Sequence, residues 1–265
     1  MMSAGLRRGL GLYAALICSL SVLPVLVIVI ESFTASDYVV FPPRGFSLKW
    51  YFEAARREEF LNAALLSLGV AFAASLLATS LGTCVALALA RHRFFGRAAL
   101  QALFMAPLSL PGIVFGLALL QFLAAHALPR DVVTIMVGHV IITLPFAVRF
   151  ITVALAGIPP VVERAAQSLG ADGWTVFRLV TLPMIRPGFV ASLVFAFILS
   201  FDDVAVALFL TTPSSTTLPV RIYVYIDQNY DPLITAVSAV VVFAAFAVLA
   251  VMERTMGIGK LFGLR

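Results

Sequence analysis

The residues able to do covalent chemistry are few and scattered. The three histidines, His92, His126 and His139, fall in separate stretches, and none sits in an H-E-x-x-H pattern. No Ser-His-Asp constellation can be argued from their spacing. The run Gly257-Ile258-Gly259-Lys260 lacks the upstream glycine and the following Ser or Thr of a phosphate-binding loop. Cys18 and Cys84 lie in apolar runs, where cysteine behaves as a small hydrophobe rather than a metal ligand or half of a disulfide. The chain is therefore expected to have no catalytic residue, metal or cofactor of its own. If it moves a solute uphill, the energy comes from a partner or an ion gradient.

What remains is electrostatic chemistry. Phe201-Asp202-Asp203 interrupts an apolar run, 188–211, that reads as a membrane span. Counted from Gly188, Asp202 lies about 14 residues in, or roughly 21 Å along a helix. An acid at that depth is costly and faces a cavity or a partner. Neighbours on a helix point about 100° apart, so the two aspartates do not share a face. One of them can face a pathway while the other pairs with backbone or with a basic group such as Arg149 or Arg221. The rings of Phe197 and Phe201 beside the acids suit an amine, through ion pairing and cation–π contact.

These residues need helices in a bilayer to hold them. The 265 residues are 62% hydrophobic and 12% charged, against about 45–50% and 25% in a soluble domain. Stretches of about 20 apolar residues, enough to cross the hydrocarbon core, occur near 10–30, 63–90, 98–125, 132–156, 188–211 and 233–252. One all-α domain over 1–265 with six membrane spans is expected. Gly69, Ala73, Ser80 and Gly82 in the second stretch permit close helix contact in lipid. Pro107 and Pro111 remove hydrogen bonds from the third and bend it. Broken membrane helices are tolerated where they are buried in protein or line a water-filled path, so both prolines are candidates for such a path. Trp50, Tyr51 and Phe52, in the polar segment 31–61, suit the membrane interface.

The longest polar interruption of the second half is 157–187, with PPVVERAAQSLGADGWTVFRLVTLPMIRP at 159–187. Pro159 and Pro160 suit the first turn of a helix, and Gly170 suits its end. Asp172 is placed to cap a second short helix that Pro183 ends. Trp174, Phe177 and Val180 stand at steps of three and share one face. Two short helices at a bend make a rigid knob that another protein can grip.

Basic residues fix the expected orientation. With the N-terminus inside, most of the chain's 18 lysines and arginines fall on the cytoplasmic side, including Arg91, Arg93, Arg97, Arg164, Arg178 and Arg186. The opposite arrangement inverts this and violates the positive-inside rule. Both termini and the 157–187 knob are therefore expected in the cytoplasm. The same rule accounts for the net charge of +5, so nucleic acid is not an expected partner.

Ala165-Ala166, three residues, Gly170, nine residues, Val180, one residue and Leu182-Pro183 together resemble the cytoplasmic "EAA" loop of ABC importer permeases of the MetI-like kind. Arg164 stands where that family has its Glu, with Glu163 one place earlier, and Val180 stands for Ile. FSLKWYFEA (46–54) with FLNAALLSL (60–68) is similar to the same family before its second span. LSFDDVAVALFLT (199–211) and TLPVRIYVYI (217–226) resemble its spermidine/putrescine, or polyamine, members.

The resemblance implies a type I importer bundle in a bacterial inner membrane. It implies a second permease chain, a cytoplasmic ATPase dimer that binds ATP and Mg, and an external solute-binding protein. It also implies that Glu163, Arg164, Ala165, Ala166, Gly170, Trp174, Phe177, Leu182 and Pro183 couple to that ATPase. Related subunits carry ferric iron, thiosulfate, phosphonates or amino acids, so those solutes stand as alternatives. A gradient-driven carrier would show inverted repeats with paired broken helices, and the third stretch has no clear counterpart in the fifth or sixth.

Overall fold

A computed structural model describes residues 4–256, which are almost wholly helical. In chain order the helices are α1 (Ala4–Glu31), α2 (Lys49–Arg56), α3 (Glu58–Arg91), α4 (Arg97–Met105), α5 (Gly112–Ala125), α6 (Val132–Ala156), α7 (Pro160–Ser168), α8 (Gly173–Val176), α9 (Leu182–Phe201), α10 (Ala207–Leu210), α11 (Leu218–Gln228) and α12 (Leu233–Met256). Each of the six expected spans finds a helix or a helix pair. Four helical stretches are long and apolar enough to cross a membrane alone: Gly9–Glu31, Glu58–Arg91, Val132–Ala156 and Gly173–Phe201. A fifth is the pair Arg97–Ser109 and Gly112–Ala125, bent by 107°. The apolar part of α12, Leu233–Val248, is shorter.

The bend in the third stretch is sharper than a proline kink. Ala106–Ser109 tightens into a 3-10 turn that contains Pro107, and Pro111 is extended just before α5. At 1.5 Å per residue the arms are about 20 and 21 Å long, so neither crosses about 30 Å alone.

Two compact units divide the chain. One comprises 1–61 and 224–265, the other 62–223. In the first, α12 packs against α1 and α2. The segment between α1 and α2 is ordered by its own contacts. Trp50 Nε1 donates to the Ser36 carbonyl at 3.1 Å, and Ser32 Oγ and Tyr51 OH lie 2.6 Å apart. Trp50 and Tyr51 are half-buried against this segment, and Phe52 is well exposed. Also in this unit, the Tyr225 hydroxyl donates to Asp231 at 2.8 Å under the Arg57 guanidinium. Burial and that aspartate push its pKa up to about 12.

In the second unit α6 and α9 form the main pairing. Gly188 lets the helices touch, since a Cβ there would overlap the Ala154 methyl. Gly82 does the same for α3, where a Cβ would meet Ala147 Cβ at 2.7 Å. Gly69 and Ser80, expected to serve close contact, lie instead on the exposed face of α3. Two apolar clusters fill the opposite ends of this pairing. Ala86, Ile151, Leu155, Ile158 and Ile185 lie toward the 157–187 segment. Val70, Leu123, Ile135, Val206 and Leu210 lie toward residues 202–206.

The fifth stretch differs from its expected bounds of 188–211 at both ends. Pro183 does not stop the helix begun at Gly173. A π turn over Phe177–Thr181 lets the Leu182 N–H reach the Phe177 carbonyl, so the register has shifted before the proline and α9 starts at Leu182. At the other end the helix stops at Phe201, and a short α10 follows only at Ala207.

Candidate functional site

The knob forms as its sequence requires at two points. Gly170 adopts φ +92, the left-handed conformation that favours glycine. Its N–H bonds to the Gln167 carbonyl at 2.9 Å, and the Ala171 N–H bonds to the Ala166 carbonyl at 3.2 Å. Those two bonds are the Schellman pattern, which satisfies the last carbonyls of α7. Asp172 then caps α8 by accepting from the Thr175 N–H at 3.2 Å. Its bonds with Thr175 hold its carboxyl below the ordinary aspartate value.

The apolar face of the knob is only partly the expected one. Trp174 touches Phe177, with ring centroids 5.6 Å apart, but Trp174 is 66% exposed while Phe177 is half-buried. The π turn breaks the step-of-three register that would have kept Val180 with them. Val161, Leu169 and Leu179 are also exposed, Leu169 by 90%. Exposed apolar side chains are thus concentrated on the 161–179 segment. Arg164, Ala165 and Pro183 are exposed; Ala166 is half-buried, and Leu182 packs on the Ile151–Leu155 cluster.

Glu163, expected among the coupling residues, turns into the chain. Its side chain is only 14% exposed, and its Oε2 lies 2.9 Å from Arg91 Nε. Its Oε1 accepts from the Thr181 hydroxyl at 2.9 Å. Both carboxylate oxygens thus have partners inside the chain.

At the other end, the two aspartates separate cleanly. Asp203 is internal: one oxygen accepts from the N–H groups of Val206 and Ala207 at 3.0 and 2.9 Å. The same Oδ2 lies 3.6 Å from His139 Nε2 on α6. His139 is 1% exposed, and its Nδ1 lies 2.7 Å from Ser200 Oγ. Asp203 is thus the structural acid of the pair, and its partners are backbone and a histidine rather than Arg149. Asp202 caps the C-terminus of α9 and is exposed; its carboxylate has no hydrogen bond or ion pair within the described residues. Phe197 and Phe201 stack beside it with centroids 6.0 Å apart.

A Ser-His-Asp cluster therefore exists, although spacing alone did not reveal it. It is no nucleophilic site. Ser200 is buried, and Asp203 spends the oxygen nearest the imidazole on two peptide N–H groups. The only sequence signals were the Ser200–Asp203 step of three, which places both on one helix face, and an acid three residues before Val206, a capping spacing.

The proline break and the acid break meet, so the third stretch has in the fifth a broken counterpart that the sequence did not show. Gly112 and Gly116, in the first turns of α5, face residues 205 and 206, and a Cβ at Gly116 would sit 3.0 Å from both the Ala205 carbonyl oxygen and Val206 Cα. Pro111 and Asp202, 91 positions apart in sequence, thus flank two helix interruptions in mutual contact. Pro107 lies one turn further back, half-buried.

Known proteins match this arrangement. Residues 78–258 match the family described as binding-protein-dependent transport system inner membrane component. The putrescine transport system permease protein PotI of Escherichia coli strain K12 is 35% identical over 228 residues, covering 83% of this chain and 81% of that one. The spermidine/putrescine transport system permease protein PotC of the same strain is 30% identical over 218 residues, 82% of each chain. In fold, a subunit of a bacterial ABC transporter that imports the acidic polysaccharide alginate superposes with TM-score 0.73 at 16% identity, over 97% of this chain and 99% of that one. The family match over 78–258 and the polyamine-permease relatives over most of the chain make it a member of the binding-protein-dependent transport family, an inner membrane permease component of an ABC importer.

Proposed function

We propose that this permease carries a cationic amine of the polyamine class, as one half of a translocation path built with a second permease chain. The whole of 1–265 acts as a single membrane domain with both termini in the cytoplasm. It has no catalytic residue or cofactor. A cytoplasmic ATPase binds ATP and Mg, grips the 159–187 knob through Trp174, Leu169 and their neighbours, and drives the cycle. An external binding protein delivers the solute.

The observation that carries the amine reading is Asp202. Its free carboxylate stands at the C-terminus of α9, where the last helix carbonyls already present a partial negative charge. Two negative ends converge on one exposed spot beside stacked rings. Such a spot repels oxyanions and attracts an ammonium group. The names of the two polyamine relatives point to the same cargo. The test is uptake of labelled putrescine by cells expressing the complete transporter. Asp202→Asn is expected to lower uptake about tenfold, the worth of one charge-assisted contact of about 1.4 kcal/mol. Unchanged uptake in Asp202→Asn removes this residue from the path. Absence of putrescine uptake in the parent protein refutes the substrate class.

A further inference from the structure

We infer that Arg91 is a positioning residue that locks the knob to the ends of α3 and α6, so that the loop and both helix ends move as one body when ATP binds. The inference rests on the coupling reading of the loop. Arg91 is the last residue of α3. Its guanidinium reaches three elements at once. Nε lies 2.9 Å from Glu163 Oε2 in the first turn of α7. Nη2 donates to the Ile158 carbonyl at 3.3 Å and the Leu155 carbonyl at 3.5 Å, where α6 ends.

The planar, forked guanidinium suits this, because its donors spread over separate nitrogens in a fixed plane, whereas a lysine gathers its donors at one point on a flexible stem. A cation at the C-terminus of α6 and an anion in the first turn of α7 also each complement the helix dipole they sit on. Glu163 then passes the tie onward, since its second oxygen holds the Thr181 hydroxyl at the root of α9. Four helix ends thus meet at one ion pair.

The pair sits where charge is not well screened. Its side chains are 19% and 14% exposed, and the Ile151–Leu155–Ile185 cluster lies beneath. A surface pair would be worth little and would not hold a loop; this one is sheltered from water, and Arg91 Nη2 and Glu163 Oε1 are each hydrogen-bonded beside it. The alternative is a loop that swings freely between Gly157 and Gly170. Under that alternative nothing would tie α7 to α3. Here Arg91 bars the swing, and a pull on Trp174 passes directly to the second and fourth membrane helices as well as to α9.

The test uses the complete transporter, purified through a tag on this chain and set in lipid nanodiscs. Spin labels are placed at two exposed sites, Arg93→Cys beyond α3 and Gln167→Cys on α7, with Cys18 and Cys84 changed to Ser. The distance between the labels is read with and without trapped ATP. We expect it to stay constant within about 2 Å, the scale of an ordinary interface shift. In Arg91→Gln the distribution broadens and shifts with ATP. Thr181→Val, which keeps the ion pair, gives a smaller change, and it stands in if Arg91→Gln does not assemble. A parent distance that changes with ATP by more than this overturns the inference. So does an Arg91→Gln or a Thr181→Val distribution as narrow as the parent's. A separate cross-link from Trp174→Cys to the ATPase tests the docking reading: its absence sinks docking alone, whatever the label distances do.

Discussion

Each end of α9 is interrupted, and each interruption is held by a buried carboxylate. The partners differ. At the 157–187 end Glu163 meets Arg91, a permanent cation. At the 202–206 end Asp203 meets two peptide N–H groups and His139, a group with no permanent charge. The first arrangement ties separate helices together through side chains. The second stabilises a local break in one helix and sets it beside His139 of α6. One end is therefore tied across several helices, and the other keeps a gap open in one helix while leaving Asp202 free.

The strongest way to break the comparison is to separate the helices that carry both ends. Gly188→Leu forces a side chain into Ala154 across the α6–α9 contact. Overpacking of this kind is expected to cost about 3 kcal/mol. The protein should fail to accumulate in membranes, as read by immunoblot. Gly69→Leu, at an open position on the exposed face of α3, should accumulate normally. Equal loss in both would mean that this contact is not what holds the two ends together.

Within the 202–206 end, the neighbouring aspartates should respond with opposite signs. Asp203→Ala strands two peptide N–H groups and His139, and is expected to destabilise by about 2–3 kcal/mol. Asp202→Asn removes an anion from the wrong end of a helix and is expected to raise stability by about 0.3–1 kcal/mol. Thermal unfolding in detergent measures both. If Asp202→Asn is the more damaging of the two, the assignment of structural and free acid is reversed.

At the 157–187 end the matching contrast is between inside and outside. Trp174→Ala should leave thermal stability nearly unchanged, because the ring is mostly exposed. It should weaken docking of the purified ATPase subunit by about 2 kcal/mol, the size of an aromatic hot spot. A stability loss without a docking loss would make Trp174 part of the fold rather than of the contact.

Much of this contrast was legible in the chain, and what was not has a common cause. Hydropathy marked where the long apolar helices lie, because lipid forces every backbone group into a helix. Gly170 and Asp172 marked their caps, because glycine conformation and aspartate capping are local. Pro107 and Pro111 marked a break for the same reason. The π turn ahead of Pro183 was missed, since a proline reads as a stop unless the register before it has shifted. The end of α9 at Phe201 was missed because Asp202-Asp203 reads alike whether a helix continues or stops. Arg91 with Glu163, and His139 with Ser200 and Asp203, are pairings across 61 to 72 residues that only the packing of α3, α6 and α9 brings about.

The mildest test concerns Asp172, whose cap belongs to the knob alone. Its carboxylate accepts from Thr175, and that bonding lowers its pKa from 3.8. The sign follows from linkage: a group whose folded pKa is depressed contributes stability above its unfolded pKa and loses it as pH falls through the folded one. The cap should therefore act fully at neutral pH and fade only below pH 3.8. Asp172→Ala should make the 169–175 bend more sensitive to protease at pH 7, and the difference from the parent should shrink toward pH 3 with an acid-active protease. Because the side chain is fully exposed, the effect should be confined to this bend and leave overall unfolding unmoved. A drop in whole-protein stability would mean that the knob and the helix bundle unfold together, which would extend the Arg91 tie from the ion pair to the entire loop.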